Sequence, residues 1–173
     1  MKAKFIDATY IKKNSPLQEN IDENILSPLI LTAQEIHIKN KLGTALYERL
    51  MIDVDLFITL GTPIVLPYST LLNDYIAPCL KEWTIYEVLP YISLKITNKS
   101  VSKRNSEFSV PAENFEVKEL RNSVRDVAEL FTENLTNYLK ENKDSFPEYC
   151  NPGNGVDTIR PNDDNFFGGI YLG

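Results

Sequence analysis

One histidine, His37, and two cysteines, Cys79 and Cys150, are all that 173 residues supply toward imidazole and thiolate chemistry. A structural zinc needs four such donors and a disulfide framework needs an even set at regular spacing, so neither can be assembled and reduced thiols are expected. Glycine is scarce, at seven; Gly43 and Gly61 stand alone, and no G-x-x-x-x-G-K-[ST] phosphate loop occurs. No apolar run approaches the ~18 uninterrupted residues of a membrane span. The stretch Met1 to Asp7 breaks into charge before a signal-peptide core could form, so a cytoplasmic site of synthesis is expected. Arginine-rich stripes are also missing. Eighteen basic against 24 acidic side chains give a net charge of −6 and a pI near 4.9, which argues against nucleic-acid binding as the main task.

What is present is ordinary globular material: 43% hydrophobic and 10% aromatic residues, enough to bury the core of one domain. Residues 1–20 read as a short extended arm ending in the Asn14-Ser15-Pro16 turn. From Asp22, Ile25, Leu26, Leu29, Ile30, Ala33, Ile36 and at times Ile38 recur at helical steps. Asn20 or Asp22 can cap that helix and Gly43 can end it, while Pro28 sits inside it as a start or a bend. Thr44 then offers a hydroxyl cap for a shorter helix through Met51. Residues 56–67, with Gly61, Pro63 and Pro67 around Ile64-Val65-Leu66, read as a hydrophobic loop laid across a neighbouring surface.

A third helix, from Ser69 or Thr70 to about Leu94, carries apolar residues around most of its circumference and belongs at the centre of the fold, with bends expected at Pro78 and Pro90. The last large helix, about Ala112 to Asn142, sets Val117, Leu120, Val124, Val127, Phe131, Leu135 and Tyr138 in a lengthwise seam. Its other side, with Glu119, Arg121, Arg125, Asp126, Glu129 and Glu133, is charged and expected in water. The expected architecture is therefore a mainly α helical bundle of about four helices, two of them long. It carries a short N-terminal extended arm (1–20), a helical domain (21–148) with a basic loop or hairpin, and an extended C-terminal tail (149–173).

Enzymatic constellations fail on inventory, so no catalytic residue, metal or cofactor is assigned. His37 beside an apolar stripe reads as a packing residue, Cys79 as buried and inert, and Trp83 with Tyr75 and Tyr86 as core aromatics. The acidic pairs Asp53/Asp55 and Asp163/Asp164 read as solvated turns, because a cation site needs ligands from several elements. Two features remain as contact elements. Lys95, Lys99, Lys103 and Arg104 form a basic loop suited to an acidic partner surface or to passing DNA. Phe166, Phe167, Ile170, Tyr171 and Leu172 crowd apolar bulk into the glycine-bearing tail, and each apolar side chain gains ~1.5–3 kcal/mol only if another surface covers it.

The run from Asp22-Glu23-Asn24-Ile25-Leu26 to Leu42-Gly43-Thr44-Ala45-Leu46-Tyr47 resembles the opening helices of phage head-to-tail connector (adaptor) proteins. Asp74-Tyr75-Ile76-Ala77-Pro78, Trp83, Tyr86-Glu87-Val88-Leu89-Pro90-Tyr91-Ile92, Lys95-Ile96-Thr97-Asn98-Lys99, Lys103-Arg104-Asn105-Ser106-Glu107 and Phe146-Pro147-Glu148-Tyr149 are similar to a family of virion proteins in phages of gut Bacteroidetes, the crAss-like group included. The resemblance spans about residues 20–150. It implies a homo-oligomeric ring, usually of twelve copies, that sits below the portal protein in the virion neck and joins capsid to tail. Genomic DNA would pass through its channel with only transient, non-specific contact. A tail-completion or neck protein is the nearest alternative, and a small helical regulator binding DNA or a host protein is another.

Overall fold

Asp22 starts the first long helix by accepting a hydrogen bond from the Asn24 amide at 2.9 Å, the side-chain cap that an orphan helix-start donor needs. The computed structural model describes residues 3–16, 21–96, 101–103, 114–151, 153, 155 and 158–162. Helix α1 (Ala8–Asn14) is followed by α2 (Glu23–Ala33), which runs on through Pro28 into a π-helical turn, Gln34–Ile38. Helix α3 (Lys39–Leu60) continues from that turn and breaks direction at Gly43, whose φ of 76° and ψ of 163° are open only to glycine. One turn of helix, α4 (Tyr68–Thr70), passes through a second π-helical segment, Leu71–Ile76, into α5 (Ala77–Ser93).

Strands β1 (Leu94–Ile96) and β2 (Val101–Lys103) pair antiparallel as a small hairpin, with Lys95 opposite Ser102 and Lys103 opposite Leu94. Helix α6 (Asn114–Glu141), 28 residues and about 42 Å long, leads through a 3-10 turn to α7 (Pro147–Cys150). The fold is thus mainly helical with two long helices and a hairpin in the basic region.

Helix α5 is central and packs on both α6 and α2. Leu71, Ile76, Cys79, Leu80 and Val88 on this limb are fully buried, and Phe146 closes the core from the far end of α6. Pro78 falls where the bonding register slips: the Ala77 amide bonds the Leu72 carbonyl, five residues back, so the interruption expected at that proline is a π turn.

The N-terminal arm is not extended over residues 8–14. Asp7 accepts from the Tyr10 amide at 2.7 Å and caps α1. Phe5, Ile6, Ala8 and Ile11 of this arm are buried on their own protomer. Gln34 ties it down: its carbonyl accepts from the Phe5 amide at 2.9 Å, and its amide nitrogen donates to the Tyr47 hydroxyl at 2.9 Å and to the Ala3 carbonyl at 3.2 Å. A fully buried glutamine is tolerable because both ends are satisfied. Burial pushes the Tyr47 phenol pKa well up, against the opposing effect of the Gln34 hydrogen bond.

Candidate functional site

Helix α3 buries Leu46, Leu50 and Val54 against the body. Residues 55–60 all fall in the exposed range, from Leu56 at 37% upward, and this last turn and a half projects as a prong. Four of the six are Leu56, Phe57, Ile58 and Leu60, the last two 65% and 73% exposed. A helix apolar on every side normally lies inside a protein or an interface.

Gly61, at φ 68°, ends the helix in the left-handed conformation with its amide on the Phe57 carbonyl, and the chain returns through Val65 and Leu66, both in water. The 56–67 segment is therefore corrected on one point, since 56–60 is helical; of the three apolar residues of the loop, Ile64 packs against the core while Val65 and Leu66 are exposed. The sequence signal was available, since Ile52 to Leu60 contains no glycine or proline and its apolar positions fit no single helical stripe. Between the prong and the N-terminal arm lies a groove of about 670 Å³ lined by Phe5, Ile6, Phe57, Ile58, Ile64 and Leu72, among others.

A second uncovered apolar surface lies on α6. The buried line is Ala128, Thr132, Leu135, Thr136 and Leu139. Of the expected seam, Leu120 and Val127 are exposed, as are Phe115 and Leu130, so the seam is filled only toward the C-terminal half. The charged side is also less wet than expected at one place: the Arg121 guanidinium lies 4.1 Å from the centre of the Tyr86 ring.

His37, from the first π turn, stacks on Trp83 at 3.8 Å with the rings 5° from parallel. Its Nε2 lies 2.9 Å from Glu87 Oε1. The Trp83 indole N–H donates to Thr132 Oγ1 at 2.8 Å, and Thr132 donates to the Ala128 carbonyl. This column locks the π turn, α5 and α6 together. Burial lowers the His37 pKa from its ordinary 6.5, outweighing the hydrogen bond and charge of Glu87 that raise it. Burial pushes the Cys79 thiol up to about 12, which keeps it protonated and unreactive. Among the described residues no three His, Cys, Asp or Glu side chains gather as a metal site, and Asp53 pairs with Arg49 at 3.1 Å.

Of the basic cluster, Lys95 and Lys103 occupy register positions on the two strands of the hairpin, while Lys99 and Arg104 lie outside the described residues. Phe166, Phe167, Ile170, Tyr171 and Leu172 also lie outside them, as do Asp163 and Asp164. The approach to that segment is described and is pinned to the body. The Thr44 amide donates to the Ile159 carbonyl at 2.9 Å, and the Asn162 amide donates to the Asn40 carbonyl at 2.8 Å. The Thr44 hydroxyl, expected to cap its own helix, instead accepts from the Ile159 amide at 2.8 Å. Pro161 sits directly against Gly43.

The fold and its surfaces define a small helical protein built around uncovered apolar faces. No described helix is long and apolar enough to cross a membrane. The chain belongs to the family of unknown function DUF6712, whose model matches residues 38–159. That span opens at the end of the first π turn and closes on Ile159, the residue clamped to Thr44. No curated protein and no solved structure matches the chain.

Proposed function

We propose that this protein is a non-enzymatic structural component of a phage particle, a head–tail connector protomer that closes with its copies into a ring beneath the portal protein. The prong at residues 55–60 carries the reading. Leu56, Phe57, Ile58 and Leu60 stand in water on one protomer. Covering what is still exposed of these four side chains, between 37% and 73% of each, is worth about 3–7 kcal/mol before ordering and association costs. The exposed part of the α6 seam is a second apolar surface on a different element, and two unlike surfaces on one chain suit a heterologous interface, the kind that closes into rings. A net charge of −6 suits a channel lining through which DNA slides without being gripped.

Light scattering across a concentration series, alone and with the portal protein of the same virus, tests the proposal. Twelve copies of 19.8 kDa would appear at about 240 kDa. A protein that stays a protomer under both conditions, and is missing from purified particles, refutes it.

A further inference from the structure

The two uncovered apolar faces each carry a charge without a partner, and the two charges are opposite. On the prong it is Asp55, exposed at the foot of Leu56, Phe57 and Ile58. The arginine of the same helix, Arg49, is taken by Asp53, and no lysine or arginine occurs in residues 50–60. On α6 it is Arg121, which follows the exposed Leu120. Its guanidinium rests over the Tyr86 ring, and its Nε is buried with no hydrogen-bond partner. The next arginine, Arg125, is held within its own helix by Asp126 at 3.4 Å and Glu129 at 3.5 Å. At about 100° of turn per residue, Glu119 and Asp126 project from the side of α6 opposite Arg121. Among the described residues no cation pairs with Asp55 and no carboxylate with Arg121. We infer that the prong of one copy docks on the N-terminal half of α6 of the next, with Asp55 of the first copy paired to Arg121 of the second and Phe57 and Ile58 laid against Leu120 and Val127. The inference rests on the proposed ring and names the contact that closes it.

Charge decides between the possible occupants. Within one protomer both faces stay exposed, so neither covers the other. Two prongs packed on each other would bring two Asp55 carboxylates together with no cation beside them, a like-charge contact that interfaces avoid. Two α6 faces would oppose two Arg121 side chains in the same way. Prong on α6 is the arrangement that covers both apolar sets and pairs both charges. A guanidinium already partly stripped of water gains more from a carboxylate than a solvated one does. The spacing also fits: Asp55 and Ile58 share one side of their helix at i, i+3, and Leu120 and Val127 share a stripe at i, i+7. Because the two faces lie on different elements, the same contact repeats from copy to copy.

Reversing and then restoring the charges in the full-length chain tests this, under the condition in which the parent assembles, alone or with the portal protein. Asp55→Arg and Arg121→Asp should each raise the concentration at which light scattering detects oligomers by at least about tenfold, and the chain carrying both should return toward the parent. Thermal melts report whether each variant folds. A second readout leaves Arg121 in place: in a Cys150→Ser background, with Cys79 fully buried, an Ile58→Cys chain is mixed with a mass-tagged Leu120→Cys chain and oxidised. Heterodimer should exceed by at least about tenfold that from a mixture in which the exposed Lys13→Cys replaces Leu120→Cys. Folded reversal variants that assemble like the parent, a double variant that is not rescued, or oligomers without heterodimer overturn the docking and leave the ring proposal standing. Ile58→Cys chains that pair with one another in preference also overturn it, in favour of prong on prong. A parent that remains a protomer under every condition tells against both.

Discussion

Gly43→Ala is the sharpest test of how the tail is fixed. At φ 76° and ψ 163° the backbone lies in a region nearly restricted to glycine, so any side chain there costs of the order of 1–3 kcal/mol. A Cβ at this position would also meet Pro161 Cδ at 2.7 Å and Cγ at 2.8 Å, closer than real carbon contacts come. Relieving that contact means lifting residues 158–162 and surrendering three hydrogen bonds, two between Thr44 and Ile159 and one between Asn162 and Asn40. Such bonds are worth about 0.5–1.5 kcal/mol each, and near water the lower end applies.

The expected destabilisation is about 2–5 kcal/mol, read by urea unfolding followed by far-UV circular dichroism. Proteolysis between residues 151 and 158 should quicken in parallel. Adding Pro161→Ala removes the two ring carbons but not the backbone strain, so the double variant should remain about 1–3 kcal/mol below Pro161→Ala alone. Gly43→Ala within about 0.5 kcal/mol of the parent, with the tail equally resistant, would show that the corner does not need glycine.

Thr132→Val leaves the buried Trp83 indole N–H without its 2.8 Å acceptor and should cost about 1–3 kcal/mol in urea unfolding; an unchanged midpoint would mean that the column is not cooperative. Gln34→Leu leaves the Phe5 amide without its acceptor, while the Tyr47 hydroxyl keeps its bond to Glu35, so a loss of about 1–3 kcal/mol and faster cleavage near residues 3–16 are expected. Because burial lowers the folded-state pKa of His37 below 6.5, the unfolded chain binds the proton more readily. Its contribution to stability is therefore complete above pH 6.5 and is lost as the pH falls through and below that value. Thermal melts from pH 7.5 to 5.5 should show this slope, and His37→Gln should flatten it; equal slopes in both proteins would contradict the assignment.

Much of the fold was legible because helical period and capping chemistry act locally. Leu26, Ile30 and Ala33 are buried where the stripe places them, and Asp22 caps as its side chain allows. The reading fails at Ile36, which is 51% exposed, while Gln34 and Ile38 are fully buried. A π turn over 34–38 inserts an extra residue per turn, and a 3.6-residue pattern cannot register that slip. The α6 seam shows a different limit: Leu120 and Val127 have the right spacing, but no described element of the protomer covers them. Periodicity says that a face is apolar and not what covers it. The prong is hard to see in the sequence because proline and glycine downstream mark residues 56–60 as loop, although Gly61 alone marks the end of the helix. The α1 helix leaves no clear period in the sequence because Asp7 caps only seven residues.

The most direct test of the central claim compares the parent protein with Phe57→Ser/Ile58→Ser, two exposed positions whose replacement leaves the core untouched. Their molar masses by light scattering, over rising concentration and with the portal protein present, give the answer. The account predicts that the parent climbs from 19.8 kDa to a closed oligomer, while the variant melts at the same temperature and remains a protomer. Equal masses for the two at every concentration would contradict it.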